Sequence, residues 1–223
     1  MLSLTAPPEL CTALTNLPNA AVAFGFVLAR RKDHRIDGLY GRLWDGLMLS
    51  VGLSSLIGFA AHLIRWPLRV QQWVWAFLAP LLCATASFFV LCALCERQEE
   101  HRVHAVFRIL CYACAAVSVC IVAEIIWWGD KFLPVIIVYG GVCLVWGTVL
   151  YLRCAHGSTA CRYYLAGLAA QIVGGAVLAA SRLTFTLGCT FDHNSIYHVA
   201  TLFSLLLFWR GYCLRERASG KII

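Results

Sequence analysis

A chain of 223 residues that is 61% hydrophobic and 13% charged lies far from a soluble domain, which averages about 45–50% apolar and about 25% charged residues. With a mean hydropathy of +0.77 it reads as a polytopic membrane protein, which excludes a soluble single-core enzyme and a disordered tail. The net charge of +7 is gathered in the connections of one side, so it is a topogenic signal and nucleic acid is not an expected partner.

A bilayer core takes about 20 apolar residues per helix. Seven stretches meet that length, at 9–29, 43–64, 71–95, 105–128, 132–152, 164–183 and 195–214. The first carries Asn16 and Asn19 around Pro18. It lacks a basic segment before it and is followed by the cationic run Arg30 to Arg35, so it is expected to stay as an uncleaved anchor. The second presents Ser54, Ser55, Gly58 and His62, and the sixth presents Gly167, Ala170, Gly174 and Gly175. Both are small-residue faces suited to close helix packing. The third begins with Gln71 and Gln72, and the fourth holds Glu124 near its end. The seventh is opened by Asp192-His193-Asn194-Ser195-Ile196-Tyr197-His198. The connections are short, so residues 1–223 are expected to form one domain, an all-α bundle of seven transmembrane helices.

Orientation follows the positive-inside rule. Of the 18 Lys and Arg, only Arg65, Arg69, Lys131 and Arg182 fall at the N-terminus or in the even connections; the rest lie in the odd connections, the C-terminal tail or the start of the fourth span. The N-terminus is therefore expected to be lumenal or extracellular and the C-terminus cytosolic. Trp44, Trp66, Trp73, Trp75, Trp127, Trp128 and Trp209 fall at predicted helix ends, as in an interfacial aromatic belt. Lys221, third from the end, is half of a dilysine retrieval signal. It leaves endoplasmic reticulum, Golgi and plasma membrane all open.

Eight of the 12 cysteines fall within spans, where Cys packs as a small apolar residue. Cys92-x2-Cys95 and Cys111-x2-Cys114, with fifteen residues between them, have the spacing of a zinc ribbon. A ribbon needs a turn at each pair, whereas these lie on continuous spans, so they are expected to be packing residues. Cys95, Cys154 and Cys213 sit where S-palmitoylation occurs. Cys189 lies in a non-cytosolic loop with Cys11 at the same face, a pair open to a single disulfide without any larger framework.

The polar residues inside the spans are not spread evenly. Asn16, Asn19, His62, Gln71, Gln72, Glu124 and the group from Asp192 to His198 all fall on the non-cytosolic side, and groups meeting at one depth from several helices form a shared pocket. Asn194 and His198, at i and i+4, share one helix face. Each residue also has a plainer role. Asp192 or Asn194 would cap the seventh helix, His198 would bond a carbonyl of a neighbouring helix, and Glu124 would pair with Arg182.

Gly58-x3-His62 in the second helix and Asn194-x3-His198 in the seventh resemble the pattern of the CREST superfamily, which unites alkaline ceramidases, progestin and adipoQ receptors and GPI-lipid remodelling proteins. That pattern is Ser-x3-His in the second helix, an Asp near the start of the third and His-x3-His in the seventh, the three His binding zinc. Ala13-Leu14-Thr15-Asn16 and Asp192-His193-Asn194 are similar to a divergent branch of small membrane proteins within it. Gly58 stands where the family has Ser, Gln71 and Gln72 are the polar groups nearest the family's Asp, and Asn194 replaces one zinc-binding His.

The resemblance implies two functions. In the first, Zn²⁺ is held by a set drawn from His62, His198, His193 and Asn194, with Glu124 and Asp192 as candidate catalytic carboxylates. The metal lowers the pKa of its bound water to about 7, and the hydroxide attacks an amide or ester carbonyl of a membrane lipid. In the second, the protein is a non-catalytic scaffold, chaperone or lipid-binding relative without metal, its polar residues tying helix to helix; no protein partner is named by the sequence. A channel or transporter is disfavoured by the lack of a repeated polar stripe or inverted repeat.

Overall fold

The computed structural model describes residues 3–4, 7–32, 38–96, 100–127, 133–180 and 183–218. Each expected span holds one helix: α1 (Pro7–Lys32), α2 (Leu39–Leu63), α3 (Leu68–Glu96), α4 (Glu100–Trp127), α5 (Leu133–Cys154), α6 (Thr159–Ala180) and α7 (His193–Ala218). Two short antiparallel ribbons join them: β1 (Ser3–Leu4) with β2 (Ile64–Arg65), and β3 (Phe185–Leu187) with β4 (Cys189–Phe191). The second ribbon turns on Gly188, whose φ of +73° only a residue without Cβ adopts freely.

Composition explains the helices. Their interiors are runs of Leu, Ala, Val and Ile whose backbone polar groups must bond within the segment if water is absent. Pro18 and Pro80 lie inside α1 and α3 without ending them, which apolar surroundings and neighbouring helices permit. Arg30, Arg31 and Lys32 fill the last turn of α1, complementing the negative end of its dipole.

Five helices, α1 to α4 and α6, are long and apolar enough to cross a bilayer. The described apolar stretch of α5, Val138–Cys154, is shorter, and α7 is diluted by His, Ser, Thr and Arg residues. Neighbour contacts run α1 to α2 to α3 to α5 to α6 to α7 and back to α1, a ring of six, while α4 packs outside it on α3. Over half of the apolar window of α3 is buried (56%) against 11% for α4. The outward faces of α4 and α5 show Ile109, Tyr112, Val119, Val138, Val142 and Val145, an apolar belt that suits lipid and not water.

The small-residue faces are used for close approach. A Cβ on Gly167 would lie 2.6 Å from the ring of Phe208, and one on Gly174 would lie 2.7 Å from Ala200. Ser204 on α7 donates to the carbonyl of Gly167 at 2.5 Å. Gly175 has nothing near its Cβ position and takes no part. Around the first turns of α2 is an aromatic knot in which the fully buried Trp44 contacts Tyr40, Tyr164, Phe208 and Tyr212 at ring separations of 5.1–6.2 Å.

Candidate functional site

The polar residues collect at the two ends of the ring. At one end, α7 begins at His193, and Asp192 just before it is its N-cap. Asp192 Oδ1 accepts from the Ser195 backbone N–H at 2.8 Å, from Ser195 Oγ at 2.8 Å and from Thr12 Oγ1 of α1 at 2.7 Å. Asn194 Nδ2 turns back to Asp192 Oδ2 at 3.3 Å. Burial alone would raise the Asp192 carboxyl, but the hydrogen bonds from Ser195, Thr12 and Asn194 outweigh it and hold it down to about 2. The capping role and the contact between helices thus fall on one side chain.

One turn further along, His198 is held on two sides by α1. Asn16 Nδ2 lies 3.1 Å from His198 Nε2 and also 3.1 Å from the Thr12 carbonyl. An amide nitrogen has two hydrogens and no lone pair to offer. It donates one to each, and Nε2 is therefore an acceptor. Asn19 Nδ2 donates to the His198 backbone carbonyl at 3.0 Å. Asn16 lies over Gly58: a Cβ there would lie 3.2 Å from Asn16 Oδ1, tight enough that the amide would have to give by a few tenths of an ångström.

His62 faces His198 with ring centroids 6.3 Å apart, and the edge of Trp75 at 5.6 Å. The two histidines expected to meet do meet. The other candidates do not join them as ligands. His193 is the first residue of α7, so at five residues from His198 it lies off the shared face. Asn194 is committed to Asp192. Glu124 sits on α4, outside the ring, with its buried Oε2 lacking a hydrogen-bond partner among the described residues; its expected partner Arg182 lies outside them. Gln72 Oε1 and Asn19 Oδ1 are likewise buried without a partner.

The described residues hold no group of three His, Cys, Asp or Glu side chains placed to bind a metal. A catalytic zinc takes three protein ligands, and His62 with His198 supplies two. The cysteine pairs form no such group either. Cys92 and Cys95 are buried, and Cys114 Sγ lies 3.8 Å from the Pro80 carbonyl. Burial of Cys95 also withdraws it from the expected palmitoylation positions.

The opposite end carries a cluster in which arginines that the sequence reading gives a topogenic role meet acids. Arg30 of α1 forms a two-pronged ion pair with Asp45 of α2, both side chains nearly buried. Tyr40 donates to Glu96 of α3 at 2.5 Å and receives Tyr164 of α6 at 2.8 Å. Arg215 of α7 lies 3.6 Å from Glu96 and 3.8 Å from the fully buried Glu216, with its guanidinium 4.3 Å over the Tyr40 ring. A signal was present in the sequence: Asp45, Glu96 and Glu216 all fall at span ends rich in Arg, where an acid is otherwise unexpected.

These features define a helical membrane-type protein: seven helices, five able to cross a bilayer, tied by polar clusters at both ends. The chain belongs to DUF6962, a family of unknown function whose model matches residues 11–216. No curated protein and no solved structure matches it.

Proposed function

We propose that this is a seven-span integral membrane protein, N-terminus lumenal or extracellular and C-terminus cytosolic, that acts as a non-catalytic lipid-binding module, a divergent relative of the CREST superfamily that keeps the bundle without the metal. The observation that carries this reading is the engagement of the would-be ligands inside the bundle. The Nε2 lone pair of His198 is taken by Asn16, and Asp192 Oδ1 is taken by three donors. Groups so bonded hold helices together and are not poised to activate water. The fourteen-to-four division of Lys and Arg between the two sides supports the topology. Lipid contact is supported by an apolar groove of about 580 Å³ between α4 and α5, lined by residues that include Leu110, Val117, Tyr139, Val142 and Trp146, which an acyl chain fills at bilayer depth.

The second reading, a zinc-dependent lipid amide or ester hydrolase, is favoured by the 6.3 Å approach of His62 and His198. Metal analysis of the purified protein separates the two. The lipid-binding reading expects no stoichiometric zinc and no change in metal content on His62→Ala. One equivalent of zinc that His62→Ala removes would transfer the protein to the hydrolases. A lipid carrying a photoreactive group on its acyl chain should label α4 and α5 in the wild type and label Val142→Trp weakly; equal labelling of both would remove the groove from the account.

A further inference from the structure

We propose that Cys11 and Cys189 are joined by a disulfide in the mature protein, pinning the β3–β4 ribbon to the first helix. The inference rests on the topology proposed above, which puts this end of the bundle on the non-cytosolic side, where thiols are oxidised.

Three observations lead there. First, the two sulfurs lie 2.8 Å apart although 178 residues separate them, within reach of a bond after a small side-chain rotation. Second, the approach is held by neighbours and not by the thiols alone. Thr12, next to Cys11, donates to Asp192 at 2.7 Å, and β4, which contains Cys189, packs on α1. Third, the two cysteines differ in exposure: Cys189 is exposed and Cys11 is buried, so one can meet an external oxidant and the other can only resolve.

The chemistry is thiol–disulfide exchange with an oxidised dithiol oxidoreductase or oxidised glutathione. The Cys189 thiolate attacks a sulfur of the oxidant, its S–S bond breaks, and one thiolate leaves. Cys11 then loses its proton and attacks the Cys189 sulfur of the mixed disulfide, expelling the second thiolate. The protein gives up two electrons and two protons, and one disulfide of the oxidant becomes two thiols. The closed loop spans most of the chain, so the bond ties the start of α1 to the start of α7, the two helices that carry Asn16 and His198.

The test uses the full chain. Cells are quenched with N-ethylmaleimide, and the protein is purified and digested without reduction for mass spectrometry. The expected result is a linked peptide pair containing Cys11 and Cys189 that disappears on reduction and is absent from Cys11→Ser and Cys189→Ser. Reduction should also lower the melting temperature of the wild type and leave both Ser variants unmoved. Recovery of Cys189 chiefly as its maleimide adduct overturns the proposal. Labelling of Lys32→Cys by an impermeant reagent on intact and permeabilised cells then locates the error. If residue 32 is cytosolic, the topology stands and the disulfide alone fails; if it is non-cytosolic, the topology reading fails with it.

Discussion

The two ends of the bundle solve one problem in opposite ways. Both bring polar side chains from α1, α2, α3 and α7 to a level where they are largely removed from water. At the basic end the solution is full charge: Arg30 with Asp45, and Arg215 with Glu96 and Glu216, wrapped by Tyr40 and Tyr164. At the histidine end it is chiefly neutral: two imidazoles, two asparagines, a threonine and a serine, with one carboxylate spent on a helix cap. A buried ion pair gains by attraction only while both partners remain, because each charge alone carries a desolvation cost of several kcal/mol. A neutral hydrogen bond is worth less and is lost more cheaply. The basic end is therefore the rigid one, and the histidine end is the one where polarity is rearranged at smaller cost.

Asp45→Ala should produce the largest effect, about 3–5 kcal/mol of destabilisation, because it removes the carboxylate that neutralises the nearly buried Arg30. Unfolding in detergent measures it, and the double variant with Arg30→Ala should recover part of the loss. If Asp45→Ala alone is nearly neutral, the contrast between the ends collapses. Gly58→Ser comes next. The new Cβ would sit against the Asn16 amide and cost about 1–3 kcal/mol as overpacking, while separating Asn16 from His198. Its reach can be read from the His198 ring signal in NMR, which should shift as it does in Asn16→Ala.

Asn16→Ala itself should cost about 1–3 kcal/mol by leaving the His198 acceptor unsatisfied. His198→Leu in the Asn16→Ala background should then be less harmful than in the wild type; additive losses would show that the pair is not coupled. The smallest effect belongs to Asp192→Asn, about 0.5–2 kcal/mol: Asn caps a helix as well as Asp does, so the loss is the charge assistance in the hydrogen bonds from Ser195 and Thr12. Because the folded carboxyl is held down to about 2 and the unfolded one titrates near about 4, its stabilisation is complete above about pH 4 and is lost as pH falls toward 2. The wild type should lose stability across that window more steeply than Asp192→Asn, in paired melts from pH 5 to pH 2; parallel curves would remove Asp192 from the acid response.

Much of this protein is determined by the sequence alone. Among the described residues each of the seven apolar stretches holds one helix, with ends displaced by a few residues, and five of these are long and apolar enough to cross a bilayer. The caps at Asp192, the small face at Gly167 and Gly174, and the meeting of His62 with His198 follow from local chemistry and shared depth. The tertiary structure decided what each polar group is used for. Depth along a helix can be read from sequence; the direction a side chain faces around the ring cannot be, and Glu124 lies on α4, which packs outside the ring on α3. Arg30 and Arg215 resembled topogenic charges until Asp45 and Glu96 were seen beside them. Gly58 acquires its meaning only from Asn16, 42 residues earlier in the chain, because whether an emptied position becomes a gap or a contact depends on which helix packs over it.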